Sequence, residues 1–283
     1  MNRRIYIVLG DIWRDRSGRV GLTLSVLIVL FGIAGPLVSG NPNKINVAER
    51  FLAPSISHPL GTDNLGRDLL ARTAQGTRAA LGISLAVVFT SLVLGSLVGV
   101  SAGLLGGAAD RIILVIFDIV SAYPPVILAL AMVALYGSSY WSLLVVVTIL
   151  FIPQFGRVAR VQTMALRSQT FIDAERLLGV PPIKLIWRHF IPNVIGPLII
   201  LASMNIPVVI TVEAGLSFLG LGIQPPSASL GTLIKDGYIY LDQSWWPTIG
   251  SAITLATATL GSTLFGEALR DAADPKLRRG GRP

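Results

Sequence analysis

Side chains able to do chemistry are sparse in this chain. Three acids fall within or beside long apolar stretches: Asp118, Glu213 and Glu267. A charged group at the centre of a membrane-spanning helix costs roughly 2.5–3.5 kcal/mol, and less near an end, so each acid needs a task or a partner. Asp118 lies five residues before Tyr123-Pro124-Pro125. It reads either as a pore-lining or gating group beside a helix bend, or as a structural acid bonded to a neighbouring helix or a partner subunit. The second reading is the simpler. Glu213 falls toward the far end of its stretch, where it could meet an external partner or line an exit, and Glu267 falls near the inner end of the last one. Tyr123, Pro124 and Pro125 must interrupt a helical ladder. Such a break is tolerated where it is buried or lines a cavity, which makes this stretch a candidate wall of a pathway.

The two histidines, His58 and His189, fall on opposite sides of the membrane in the topology below and cannot share a metal. With no cysteine there is no disulfide framework and no thiolate site. No Ser/His, Glu/His or metal constellation converges in the sequence, and no G-x-x-x-x-G-K-[ST] phosphate loop occurs. The chain is expected to be no enzyme, with no catalytic residue, no metal ligand and no cofactor of its own.

The elements that must position these residues follow from composition. Hydrophobic residues make up 52% of the 283, and only 13% are charged, against about 25% in a soluble domain. Too few charges remain to cover a soluble surface, and the mean hydropathy of +0.69 agrees. The net charge of +8 would suit nucleic acid, but the basic residues sit between apolar stretches, where membrane orientation explains them.

Six stretches are apolar and long enough to cross a bilayer at about 20 residues per helix: 20–38, 79–105, 112–135, 141–155, 194–221 and 247–269. The fourth borrows flanking residues, and the fifth has room to tilt or bend at Pro207. The first starts late, is long for a signal core and lacks an A-x-A site, so it reads as an uncleaved anchor. With the N-terminus inside, 17 of the 23 Lys and Arg fall inside and 6 outside, which places both termini in the cytoplasm. The parts are then a cytoplasmic segment 1–19, a first helix and periplasmic loop 20–78, a core 79–269 containing a cytoplasmic connection 156–191, and a tail 270–283. In the outside loop Asp63 is the expected cap of a helix burying Leu65, Leu69 and Leu70. Ala252, Ala256, Thr257 and Gly261 form a small-residue packing stripe in the sixth span. Trp245 and Trp246 read as outer-leaflet anchors.

The connection 156–191 is patterned. Its start reads as a helix leaving the membrane, with Arg157, Arg160 and Arg167 at headgroup level. A short helix carries Phe171, Asp173, Ala174, Glu175 and Leu178, with Phe171, Ala174 and Leu178 on one side and Gly179 as its stop. Pro181 and Pro182 restart the chain, and Ile183, Ile186, Trp187 and Phe190 form an apolar face opposite Lys184 and Arg188 until Pro192 ends the element. On these residues alone the pair serves equally well as a docking element or as an interfacial helix resting on lipid.

Four stretches carry a resemblance. Asp173-Ala174-Glu175, Gly179 and His189-Phe190-Ile191-Pro192 resemble the E-A-A, Gly, I-x-L-P loop of permease subunits in binding-protein-dependent ABC importers, with Gly-to-Pro spacing kept. Glu175 stands in place of the second Ala and His189 in place of the Ile. His58-Pro59-Leu60-Gly61-Thr62-Asp63 with Leu65-Gly66-Arg67-Asp68 resembles the first outside loop of the dipeptide/oligopeptide/nickel permease family. The run from Glu213-Ala214-Gly215 to Gln224-Pro225-Pro226 resembles its fifth-span exit, and Leu269 to Pro275 its ending. The order and places match the second, C-type, of that family's two permease subunits.

The resemblance implies an all-α, six-span type I importer permease forming half of a translocation pathway in a bacterial or archaeal inner membrane. It implies a second homologous permease, two cytoplasmic ATPase subunits that use ATP and Mg, and a periplasmic or lipid-anchored binding protein. The helix around Asp173–Gly179 would dock on the ATPase. Di- or oligopeptides are the expected cargo, with nickel, glutathione or opines as alternatives. A proton-coupled carrier with Asp118 and Glu213 as relay is the rival from another class, and the patterned cytoplasmic pair speaks against it.

Overall fold

The computed structural model describes residue 10 and residues 12–273. Of the expected ending, Asp274 and Pro275 lie outside the described residues. So do most of the tail and the first nine residues.

The described residues contain helices and no strand beyond one isolated bridge, Thr62 to Asp68. α1 spans Arg16–Ser39, with Asp15 capping it by accepting from the Gly18 N–H at 2.7 Å. Then follow α2 (Leu69–Leu105), α3 (Gly107–Ala122), α4 (Pro125–Tyr136) and α5 (Tyr140–Arg167). A hairpin comes next, made of α6 (Thr170–Leu177), α7 (Pro182–Leu185) and a wide turn over Ile186–Phe190. α8 (Ile191–Phe218), α9 (Leu230–Ile239) and α10 (Trp246–Ala273) complete the chain.

Five helices pass as spans by length and hydropathy, and α3 with α4 makes a sixth that is bent by 89°. The break at Tyr123-Pro124 falls where the prolines require one, since Pro125 opens α4 and supplies no N–H to the ladder behind it. At 12 residues, α4 alone is about 18 Å long against a hydrocarbon core of about 30 Å, so α3 must carry part of the crossing.

The core lies among α2, α5 and α8, where Ile83, Val87, Val147, Phe155, Leu198 and Val209 are buried. Backbones meet closely between α2 and α5. Gly95, Gly99 and Gly103, one turn apart, present no side chain to Gly156 and Thr163, and a Cβ on Gly99 would strike the Gly156 carbonyl. In hydrocarbon there is little hydrophobic drive between helices, so such close packing carries much of the association. α1 leans on α2 through a proline defect: Pro36 offers no N–H to the Gly32 carbonyl, and Arg78 Nε donates to that oxygen at 3.2 Å.

Several expectations change. The helix cap in the first outside loop is Asp68, which accepts from the Ala71 N–H at 2.8 Å, and not Asp63. Of the small-residue stripe in the last span only Gly261 is buried, against Leu24 and Ser25 of α1; the helix also buries Ser251, Ala258 and Gly266. Pro192 ends nothing. It sits in the first turn of α8, and the chain runs helically from Ile183 to Phe218.

Candidate functional site

Residues 168–190 form the hairpin at one end of the bundle. Gly179 stops α6 at φ +76°. Its N–H donates to the Arg176 carbonyl and the Val180 N–H to the Glu175 carbonyl, at 3.0 and 3.1 Å. That pair of bonds is the Schellman arrangement, which needs a left-handed residue at this position. A Cβ on Gly179 would meet nothing within 4 Å, so the demand for glycine is set by the backbone and not by crowding.

Phe171, Ala174 and Leu178 are exposed on α6, joined by Leu177, which is 89% exposed. Asp173 is exposed too and pairs with Arg176 at 3.3 Å. The opposite side is anchored. Ile172, Leu185 and Phe190 are buried together, packed on Leu104 at the end of α2 and Leu166 at the end of α5. Ile172 and Leu185 were missed as anchors, and the expected face of Ile183, Ile186, Trp187 and Phe190 splits. Ile183 and Trp187 are exposed while Phe190 is fully buried. The reason is the wide turn, in which the Ile191 N–H donates to the Ile186 carbonyl five residues back. That π geometry turns the stripe out of a 3.6-residue period, and the five-residue step from Leu185 to Phe190 is its only trace in the sequence.

The arginines near this end bond within the chain. Arg160 grips Asp110 with two nitrogens, Nη2 to Oδ2 at 2.6 Å. Arg157 Nη2 donates to Asp118 Oδ1 at 2.9 Å and to Ser121 Oγ at 3.1 Å. Arg167 Nη1 reaches the Gly103 carbonyl at 3.3 Å. Asp118 therefore has a neighbouring-helix partner, yet its side chain stays 71% exposed, as does Tyr123 at the bend to a lesser degree. Pro124 precedes the first turn of α4. Glu213 is placed differently from its expectation. It is fully buried, accepts from Ser217 Oγ at 2.8 Å, and so faces neither an exit nor an external partner in this structure. Glu267 is exposed in an open groove between α8 and α10 that Met204, Thr211 and Thr263 also line.

The outside-loop motif builds a charged knot at the opposite end. Asp63 Oδ1 accepts from the Leu65 and Arg67 N–H groups, both at 2.9 Å. Its Oδ2 takes Arg67 Nε at 2.6 Å and lies 3.4 Å from Arg72 Nε. Asp63, Arg67 and Arg72 are all buried. Thr62 bridges Leu52 and Glu49, and Asp68 holds His58 Nδ1 at 2.8 Å. Gly61 and Gly66 have positive φ, and a Cβ on either would strike a carbonyl, of Leu52 and Asn46 respectively. Asp236 of α9 lies close by; burial pushes its carboxyl up, against the pull of Arg72 and Arg67. The motif residues thus hold the loop on the start of α2 and toward α9. Among the described residues no group of three or more His, Asp or Glu could hold a metal ion.

Residues 91–279 match the family model described as "Binding-protein-dependent transport system inner membrane component". A putative peptide transport system permease protein of Brucella abortus is 35% identical over 269 residues, covering 95% of this chain and 90% of that protein. The probable D,D-dipeptide transport system permease protein DdpC of Escherichia coli is 38% identical over 270 residues, covering 94% and 90%. The oligopeptide transport system permease protein OppC of Bacillus subtilis is 32% identical over 278 residues, covering 95% and 91%.

Proposed function

We propose, from the premise that the chain belongs to the family of binding-protein-dependent transport system inner membrane components, that it forms half of the pathway of an ATP-driven peptide importer. It is a multi-pass protein of the inner membrane. The observation that carries the mechanism is the hairpin: an exposed apolar side on α6, anchored through Ile172 and Phe190 to the ends of α2 and α5. A surface helix fixed this way passes a push from a partner into several spans at once. We assign that partner as a cytoplasmic ATPase subunit, one of two, using ATP and Mg. A second homologous permease completes the pathway, and an external binding protein delivers cargo. Peptides are the proposed cargo because the relatives above are named for peptides and dipeptides.

The test uses the whole complex, purified with its partners and reconstituted with the binding protein, assayed with radiolabelled di- to pentapeptides. Uptake should require ATP inside the compartment holding the ATPase subunits and should persist when ionophores collapse the ion gradients. Uptake that follows a proton gradient without ATP would instead support the carrier reading. Against that reading, Asp118 is tied to Arg157 and Glu213 to Ser217, on separate elements.

A further inference from the structure

The two places where the hairpin departs from its family pattern touch each other. Glu175, on α6, and His189, in the wide turn, are fourteen residues apart in sequence, and both carboxylate oxygens of Glu175 lie 3.0 Å from His189 Nε2. Both side chains are largely buried, 24% and 20% exposed. The carboxylate can only accept, so Nε2 carries the hydrogen. The imidazole also lies against Phe171, with ring centroids 5.5 Å apart and planes at 62°, an edge-on contact. Asn193 Nδ2 donates to the His189 carbonyl at 2.7 Å, which ties the same residue to the first turns of α8.

We propose that Glu175 and His189 act as one clamp that sets the position of Phe171 on the exposed side of α6 and fixes α6 to the helix leading into α8. In the family pattern the two places hold Ala and Ile, an apolar pair. Here an acid and an imidazole take those places and are joined by a directional bond. Either residue alone would leave a half-buried polar group without its partner, whereas exchanging both for apolar groups can be nearly neutral. Glu175 is a positioning residue acting through His189, and His189 is one acting through Phe171. The proposal rests on the ATPase-docking reading of the hairpin.

The experiment reads peptide transported per ATP hydrolysed, with a radiolabelled dipeptide and the reconstituted complex. Glu175→Ala should lower that ratio about five- to tenfold, the size of a typical coupling between contacting residues. Glu175→Gln keeps an acceptor for Nε2–H and should stay within about twofold of the parent. Glu175→Ala with His189→Ile should recover to within about threefold. Losses in the double variant that multiply those of the single ones overturn the clamp, and so does an unchanged ratio in Glu175→Ala. If Glu175→Ala does not accumulate, His189→Gln takes its place, since it keeps a donor but removes the ring beside Phe171. A fall of similar size supports the clamp, and the parent ratio overturns it. Phe171→Ala combined with Leu178→Asp separates the two levels. If the ATPase subunits still copurify and uptake is unchanged, the docking reading itself fails and the clamp with it. If uptake is lost there but not in the clamp variants, only the clamp fails.

Discussion

At Gly179 the demand on the residue is purely conformational. Its surroundings are open, so side-chain size matters less than the ability to hold φ near +76°. A left-handed residue other than glycine costs roughly 1–2 kcal/mol, with Asn the mildest choice because its short amide can bond locally. Uptake per ATP should therefore fall from Gly179 to Gly179→Asn, and further, to about one level, in Gly179→Ala and Gly179→Trp, while membrane abundance stays near the parent level. Quantitative blotting beside transport assays would show it, and a Gly179→Ala variant with full coupling would remove the backbone argument. Single residues of this kind were legible in the sequence. Gly179 stands at a helix stop between an amphipathic turn and two prolines, and its role follows from those neighbours alone. Asp63 was not. An Asp ahead of a helix is a fair cap candidate, but Asp68 is equally so, and the choice between them is made by Arg67 and Arg72, which draw Asp63 into the buried knot.

Between whole elements the informative contact is that of α2 with α5. Gly99 meets the Gly156 backbone, and nothing there can move aside as a flexible side chain would. Gly99→Ala should destabilise the protein by about 1–3 kcal/mol through overpacking. Gly196→Ala is the matched comparison. It lies within α8 with open space around its Cβ, so the better helix former should be neutral or gain up to about 1 kcal/mol. Thermal unfolding of the two variants in detergent, set against the parent, distinguishes them by sign. The spans could be read from hydropathy because lipid leaves a chain few other solutions. The wide turn before α8 could not, since one residue beyond the 3.6-residue period looks like noise in the pattern until Leu185 and Phe190 are seen packed together with Ile172. The glycine ladder of α2 was equally hidden, because the sequence shows small residues without showing what approaches them.

Charge bias predicts the orientation of the whole molecule, and the chain is well suited to testing it because it has no cysteine. Ser57→Cys lies in the exposed loop at the knot end, and Ser168→Cys at the hairpin end. An impermeant thiol reagent applied to intact cells should label the first and spare the second, with the second labelled after the membrane is opened. The reverse pattern would invert the topology and take the ATPase-docking assignment with it. Between those two ends runs α2, 37 residues with no proline, about 55 Å from Asp68 to Leu105. Its first turn belongs to the charged knot through Arg72, and its last carries Leu104 against the anchors of the hairpin. One uninterrupted helix thus ties the two ends together directly. A displacement of the hairpin that carried the end of this helix with it would reach the far loop through the backbone ladder, without a relay of side-chain rearrangements.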